Sequence, residues 1–129
     1  MPQSEHQLVQ LARDSRDNLS HVPYSGFRVG AAVSTPDRAY YGGNVEFAGR
    51  FGIHAEQMAV AKALADGVRH IDTIAVSCSD EGGHVPCGMC LHCLSEYNSD
   101  MLILVDDGEG WEYTSLNEEM PNAWSGSNR

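Results

Sequence analysis

The sequence predicts a single α/β domain over residues 1–129, a three-layer α/β/α sandwich built on a five-stranded mixed sheet. Of the 129 residues 42% are hydrophobic, which suffices for the core of one ordinary domain. Helical and strand-like segments alternate along the chain, and no internal repeat or linker divides them. The runs IDTIAVSC (71–78) and MLILV (101–105) are almost wholly apolar, which is typical of central strands covered on both faces.

The N-terminal part predicts a helix followed by a hairpin. Ser4 can cap the helix with Gln7 at the capping-box position, and apolar residues on one face continue it to about residue 20. We expect the other face of this helix to be charged and solvated. FRVGAAVST (27–35) predicts a strand, and after a turn AYYGGNVE (39–46) returns as its partner before glycines interrupt it.

The C-terminal part predicts the remaining layers. Helices are expected at about 54–66, closed by Gly67, and at about 87–97. WEYTS (111–115) predicts an edge strand after an Asp-Asp-Gly turn, and a short helix follows it. The expected order is therefore α-β-β-α-β-α-β-β with a short C-terminal helix.

The charge balance argues against polyanionic partners. Acidic residues number 18 and basic residues 8, for a net charge of −10, and Lys62 is the sole lysine. A protein that binds phosphates needs a basic stripe, whereas the arginines here are scattered. We expect no nucleic-acid partner and a small, weakly charged substrate. The acidic composition also suggests a halophilic source, although many ordinary soluble proteins are acidic.

The chain is expected to be cytoplasmic. No apolar run approaches the roughly 18 residues of a membrane span, and the N-terminus lacks the basic flank and apolar stretch of a signal peptide. Four cysteines in that compartment indicate thiols or metal ligands rather than disulfides. Cys87, Cys90 and Cys93 are clustered in the sequence, and Cys78 stands apart.

Two motifs, HAE and PCGMC, predict a metal site. Cys87 and Cys90 lie on the first turn of a helix with their sulfurs on one side, and a helix start favours thiolates. If two helix starts meet beside adjacent parallel strands, His54 becomes a third ligand. Three protein ligands leave a zinc position for water, which is typical of catalytic sites. Glu56 is then the candidate proton shuttle.

The chain resembles cytidine deaminase in the order of its motifs. These motifs are PYSGFRVGAA (23–32), NVEFAG (44–49), HAEQ (54–57), PCGMC (86–90) and SLNEEMPNAW (115–124). The resemblance implies hydrolytic deamination of cytidine and deoxycytidine to uridine and deoxyuridine in pyrimidine salvage, with one catalytic Zn²⁺ per chain. In this reading Glu56 passes a proton to N3 of the base and then to the departing ammonia.

The resemblance also implies a nucleoside site. Phe27 would stack on the pyrimidine, Asn44 and Glu46 would hydrogen-bond the ribose, and backbone near Ala55 and Pro86 would meet the base. A small nucleoside is therefore the expected partner.

The C-terminal tail implies a partner subunit. Its apolar residues Leu116, Met120 and Trp124 would be exposed on a monomer. In the short-chain form of the family the tail carries an aromatic residue near the active sites, and Trp124 stands at that position. We expect a homotetramer with sites at subunit interfaces. The alternative is that Trp124 folds back on its own domain.

Three features depart from the short, tetrameric form of the family. His54 replaces a cysteine, as in the longer, dimeric branch. Gln57 and Leu91 replace two arginines. This loss of positive charge is consistent with the neutral imidazole of His54, because replacing one thiolate by a neutral ligand leaves less negative charge around the metal for arginines to compensate. One residue is missing before HAEQ, so the roles of Arg50 and Phe51 stay open.

Each assignment has a structural alternative. His54 could cap a helix or fill the core, and Glu56 could serve only the helix dipole. Phe27 could be an ordinary core residue. Asn44 and Glu46 could be turn residues beside two glycines.

The remaining chemically active residues are expected to be structural. The spacing of Cys93 after the PCGMC pair resembles that of iron–sulfur ligands, but no fourth cysteine follows at the required distance. A buried thiol is therefore expected for Cys93. Cys78 and His92 are likewise assigned structural roles.

Three other functions stay open. A modified cytosine nucleoside, such as an aminoacyl-nucleoside antibiotic, is the main alternative substrate. Editing of a polynucleotide is disfavoured by the net charge. A non-catalytic zinc-binding module would have no use for Glu56 beside an open metal position.

Overall fold

The computed structural model describes residues 3–49, 51–79 and 83–121. Its elements in chain order are α1 (Glu5–Asn18), β1 (Val29–Ser34), β2 (Ala39–Gly43), β3 (Val45–Phe47), β4 (Phe51–Ile53), α2 (Ala55–Ala65), β5 (Thr73–Cys78), α3 (Gly88–Ser95), β6 (Leu102–Asp106), β7 (Trp111–Ser115) and α4 (Leu116–Glu119). The capping box at the start of α1 is present as expected, with Ser4 Oγ accepting from the Gln7 N–H and Gln7 Oε1 accepting from the Ser4 N–H. None of the described helices has the length and apolar character that crossing a membrane requires.

Five strands form one mixed sheet in the order β2-β1-β5-β6-β7. β5 and β6 run parallel, and every other neighbouring pair is antiparallel. The two apolar runs thus occupy adjacent central strands, and β7 lies at an edge. The predicted fold class, a five-stranded mixed sheet between helical layers, is confirmed.

A separate two-stranded hairpin, β3–β4, was not predicted. The pairing of β2 with β1 was expected to be interrupted at the glycines, but it continues through Gly42 and Gly43. Both glycines allow close packing, because a Cβ at Gly42 would overlap the Met58 side chain and one at Gly43 would overlap the Ser20 backbone. The chain leaves the sheet at residue 44, and the hairpin that follows carries part of the site wall.

The two faces of the sheet carry separate apolar cores. Ala32, Ala75 and Leu104 face α1, where Leu8 and Ala12 cover them. Their strand neighbours belong to the other core, formed with α2 and α3: Ala31, Val33, Ile74, Val76 and Ile103. This alternation follows the period of two along a strand, and burying a large aliphatic side chain stabilises the fold by about 1.5–3 kcal/mol. The layered arrangement holds the starts of α2 and α3 at one end of the sheet.

The charged side of α1 is not fully solvated, which contradicts the expectation from its pattern. Arg13 Nη2 lies 2.8 Å from Asp106 Oδ1, and the side chain of Asp106 is only 3% exposed. Arg16 Nη1 donates to Ser77 Oγ over 2.9 Å, and Ser77 Oγ donates to Asp106 Oδ2 over 2.7 Å. The sequence pattern missed this because the paired carboxylate lies at the end of β6, 93 residues after Arg13.

Candidate active site

The three predicted metal ligands converge at the starts of two helices. His54 and Cys87 are the residues that immediately precede α2 and α3, and both have extended backbone angles. Cys90 lies in the first turn of α3. His54 Nδ1 is 3.2 Å from Cys90 Sγ and 3.5 Å from Cys87 Sγ, and the three donor atoms lie within 4.8 Å of one another.

This donor set fits zinc. Zn–S distances of about 2.3 Å and Zn–N distances of about 2.0 Å, at tetrahedral angles, separate neighbouring donor atoms by about 3.5–3.8 Å. The two separations between the imidazole nitrogen and the sulfurs, 3.2 and 3.5 Å, are close to that requirement. In the part of the chain that the structure describes, no other cluster of three His, Cys, Asp or Glu ligand atoms has this proximity.

Burial distinguishes the two sulfur ligands. Cys90 is 0% exposed, whereas Cys87 is exposed. Burial raises the pKa of the Cys90 thiol well above its ordinary value, and the nearby Glu56 carboxylate raises it further. Burial and Glu56 thus oppose the effect of the helix start on this thiol, and a bound zinc ion would favour the thiolate. Because zinc binds the thiolate, metal binding releases a proton from this site.

Glu56 is buried beside the ligand cluster, with 6% of its surface exposed. Burial raises the pKa of its carboxyl group, although the N–H of Glu56 itself, His54 and Cys90 partly oppose the rise. A carboxyl group in such an environment can hold a proton nearer neutral pH than an exposed glutamate can. This is the property that a proton shuttle needs.

Gln57 and Leu91, the two residues that replace arginines of the short form of the family, lie on α2 and α3, the helices whose starts carry the metal ligands. Gln57 Oε1 accepts from the backbone N–H of His54 over 3.0 Å, which fixes the entry into α2. Leu91 is 6% exposed and packs in the core between the sheet and the helices. Neither side chain adds positive charge near the donor atoms.

A cavity of about 880 Å³ opens over the cluster. Its described wall includes Glu56, His54 and Cys87, and four of the residues predicted to contact the substrate: Phe27, Asn44, Glu46 and Ala55. Two further substrate contacts were predicted, Pro86 and Trp124. Pro86 is buried and is not among the described wall residues, and Trp124 lies outside the described residues, as does Arg50.

Asn44 and Glu46 are hydrogen-bonded to the segment that contains Phe27. Asn44 Nδ2 donates to the Phe27 carbonyl over 3.0 Å, and Asn44 Oδ1 accepts from the Val29 N–H over 2.9 Å. Glu46 Oε1 accepts from the backbone N–H groups of Tyr24 and Ser25 over 3.1 and 3.0 Å. The hydrogen bonds from Ser25 lower the pKa of Glu46, so this wall residue is ionised at neutral pH.

Several wall residues were not predicted. Phe47 and Phe51 stack across the β3–β4 hairpin with ring centroids 5.4 Å apart, and they are 45% and 65% exposed. The His84 ring contacts Phe27 edge-on, with centroids 6.1 Å apart. Aromatic residues on both sides of the short Ala-Gly-Arg segment are a signal that could have revealed the hairpin. His84 carries no such signal.

The remaining cysteines lie outside the ligand cluster. Cys93 is partly buried, and burial raises the pKa of its thiol. Cys78 is buried at the end of β5, where it also forms part of the cavity wall. The placement of Cys93 one helical turn beyond Cys90 makes it a matched control for the metal site.

Several known proteins are similar to this chain in sequence and in fold. Residues 2–105 match the family described as cytidine and deoxycytidylate deaminase zinc-binding region. A cytidine deaminase from Sporosarcina psychrophila is 34% identical over 122 residues, which cover 92% of this chain and 89% of that protein. A cytidine deaminase from Klebsiella pneumoniae is 33% identical over 91% of this chain, which corresponds to 37% of that longer protein.

The fold agrees with the sequence comparison. The crystal structure of cytidine deaminase from Burkholderia pseudomallei matches with a TM-score of 0.87 and 31% identity, over 95% of this chain and 100% of that one. Sequence match, fold and the His-Cys-Cys donor set agree with one another. The chain therefore belongs to the zinc-binding cytidine and deoxycytidylate deaminase family.

Proposed function

We propose that this protein catalyses the zinc-dependent hydrolysis of cytidine and deoxycytidine to uridine, deoxyuridine and ammonia, as a step of pyrimidine salvage. The observation that carries the proposal is the buried carboxyl group of Glu56 beside a three-ligand donor set on the wall of an open cavity. A purely structural zinc site would close with a fourth protein ligand and would not need this acid.

His54, Cys87 and Cys90 hold the metal in this proposal. Zinc, when bound there, supplies an acidified water as the nucleophile for hydrolysis at neutral pH. Glu56 takes up a proton from the water and delivers it to N3 of the cytosine ring as the hydroxide adds to C4. It then takes the proton of the new C4 hydroxyl group and passes it to the amino group, so that the C4–N bond breaks, ammonia leaves and the C4 carbonyl of the product forms. The low exposure of Glu56 keeps bulk water from competing for that proton.

The charge of the cavity favours a nucleoside over a nucleotide. Two carboxyl groups, those of Glu46 and Glu56, belong to the wall, and none of the described wall residues is lysine or arginine. A phosphate group entering this cavity would meet an ionised Glu46, and the described wall offers no lysine or arginine side chain to compensate its charge. We therefore propose cytidine and deoxycytidine as substrates rather than their phosphates, and no nucleic-acid partner.

A modified cytosine nucleoside is the second candidate substrate. The cavity volume of about 880 Å³ lies near the upper end of the range of about 300–1,000 Å³ found for small-molecule sites. Such a cavity has room for a substituent larger than the ribose of cytidine. Larger analogues, such as an aminoacyl cytosine nucleoside, therefore belong in the substrate test.

We also propose that a second copy of the chain covers part of this cavity, in a cytoplasmic homotetramer with sites at its interfaces. Tyr24, Phe47 and Phe51 line the cavity and are 64%, 45% and 65% exposed. Exposed aromatic residues around a site favour an interface, because burying them removes apolar surface from water. Trp124, beyond the described residues, is the proposed contribution of the neighbouring subunit.

An ammonia-release assay with the zinc-loaded protein tests the function. We expect turnover of cytidine and deoxycytidine, and much weaker turnover of cytidine monophosphate. Preference for an aminoacyl cytosine nucleoside would favour the second candidate. Absence of turnover with every cytosine nucleoside, in a sample with one zinc per chain, would overturn the proposed function. Repeating the assay across salt concentrations tests the halophilic origin that the charge of −10 suggests.

A further inference from the structure

We infer that Ser25 is a positioning residue that connects the Glu46 carboxylate to the backbone of Phe27. The inference rests on the proposed function, because it takes Phe27 as the ring that faces the pyrimidine. Ser25 is exposed and does not belong to the described wall of the cavity, whereas Glu46 and Phe27 do. Its effect on the substrate therefore has to pass through one of these two neighbours.

The hydroxyl group of Ser25 makes two hydrogen bonds with different partners. It donates to Glu46 Oε2, and it accepts from the Phe27 N–H over 3.0 Å. Glu46 Oε1 at the same time accepts from the backbone N–H of Ser25 itself. A single carboxylate thus holds both the backbone and the side chain of Ser25, and that side chain holds Phe27.

The carbonyl group of Phe27 is fixed from the other side. Asn44 Nδ2 donates to it over 3.0 Å, so both backbone polar groups of Phe27 are bonded to side chains. Gly26, between Ser25 and Phe27, has a φ of +72°, a left-handed conformation that glycine adopts without strain. These contacts fix the backbone from which the Phe27 ring projects into the cavity.

The geometry assigns Asn44 and Glu46 a task in addition to any contact with a sugar. Asn44 lies between β2 and β3 and Glu46 lies in β3, and both side chains are hydrogen-bonded to the segment that contains Phe27. If Ser25 acted only by orienting Glu46 toward the ribose, its removal would matter only for substrates with the sugar hydroxyl groups. If it acts through Phe27, its removal weakens the site for any cytosine nucleoside.

Steady-state kinetics of Ser25→Ala test this inference. Ser25→Ala removes the hydrogen bond between the Ser25 hydroxyl group and the Phe27 N–H, and it is expected to raise KM for cytidine by about 3- to 10-fold. The value of kcat is expected to change by less than about 2-fold, because Phe27 on the cavity wall contacts the ground state and the transition state alike. Ser25→Thr keeps the hydroxyl group and is expected to restore most of the loss. Thermal unfolding of each variant verifies that the fold is retained.

Ser79→Ala is the matched control. Ser79 Oγ accepts from the N–H of Arg28, the residue after Phe27, over 3.1 Å, and Ser79 does not belong to the described cavity wall. This variant removes a similar exposed hydrogen bond one residue further along. We expect its KM to equal that of the wild type.

A double-mutant cycle with Phe27→Leu decides through which residue Ser25 acts. In the Phe27→Leu background, Ser25→Ala is expected to change KM for cytidine by less than about 2-fold. In the wild-type background, Ser25→Ala is expected to raise KM for 2′,3′-dideoxycytidine by as much as it raises KM for cytidine. Additive effects of the two substitutions, or loss of the effect with the dideoxy substrate, would overturn the inference while leaving the deaminase activity established. An inactive zinc-loaded wild type would overturn the proposed function and this inference with it.

Discussion

His54 Nδ1 lies 3.2 Å from Cys90 Sγ, although 36 residues separate them in the sequence. We predict that Cys90→Ala reduces bound zinc from about one per chain to a small fraction, because two remaining ligands hold the metal far less tightly. Cys93→Ala, one turn further along α3, should retain its zinc. Metal analysis of the purified proteins measures both. Undiminished zinc in Cys90→Ala, or its loss in Cys93→Ala, would reject the assigned ligand set.

The burial of Glu56 predicts a variant that binds metal but turns over slowly. Glu56→Gln should retain the fold and the zinc, because glutamine has nearly the same shape and Glu56 is not one of the ligands. Its turnover number is expected to fall by about 10²–10⁴-fold, since the amide cannot shuttle the proton. Ammonia release and metal content are measured on the same sample. Turnover within a few-fold of the wild type would exclude the proposed role.

The Arg13–Asp106 pair predicts the response of stability to mutation. Asp106→Asn should lower the free energy of unfolding at pH 7 by about 3 kcal/mol, because it leaves Arg13 without its buried counter-charge and Arg16 with only the exposed Asp17. Asp17→Asn, which removes an exposed partner of Arg16, should cost less than about 1 kcal/mol. Urea denaturation measures both changes. Equal losses in the two variants would contradict the importance assigned to the buried pair.

The same pair predicts a pH dependence. Burial alone would raise the pKa of Asp106, but the hydrogen bonds from Arg13, Ser77 and Gly108 outweigh it and lower the pKa below its ordinary value. The resulting stabilisation is therefore present above the unfolded pKa of about 3.9 and disappears as the pH falls through the lower folded pKa. The stability difference between wild type and Asp106→Asn should narrow below about pH 4. A difference that is constant from pH 7 to pH 3 would contradict this assignment.

The expectation that Leu116 and Met120 are exposed on a monomer is wrong, because Leu116 is 1% exposed in the core of its own chain and Met120 packs against that core. The exposed aromatic residues at the cavity still predict an assembly, and Trp124 is the tail residue expected to contribute to it. A truncation after Pro121 removes Trp124, and it should lower the oligomeric state or raise KM for cytidine. Sedimentation and light scattering of both proteins, together with their kinetics, measure the effect. A fully active wild-type monomer, or a truncation with unchanged assembly and KM, would reject shared sites.

The sequence was most informative where chemistry is local. The capping residues Ser4 and Gln7 and the two apolar runs predicted α1 and the central strands, and HAE with PCGMC predicted the converging ligands. The burial of Cys90, which raises the pKa of its thiol, could not be read from the motif, because it depends on how the folded chain packs around the sulfur. Motif spacing thus indicates which residues meet, but not how deeply each of them is buried.

Contacts between distant segments were the least predictable. The sequence pattern suggested that Gly42 and Gly43 break the strand, yet at these positions α2 and the segment that follows α1 approach the sheet closely. The sequence pattern predicted that Arg13 is solvated, because its partner Asp106 lies 93 residues further along the chain. The edge contact of His84 with Phe27 likewise joins segments whose local patterns carry no information about each other.

The unequal burial of the ligands has a consequence for metal exchange. Cys90 is buried, whereas His54 and Cys87 belong to the cavity wall. A chelator that competes for zinc is therefore expected to reach the metal through the cavity in which the nucleoside is proposed to bind. Occupancy of the cavity by a nucleoside should therefore slow chelator-driven zinc release, even when that nucleoside is the product uridine.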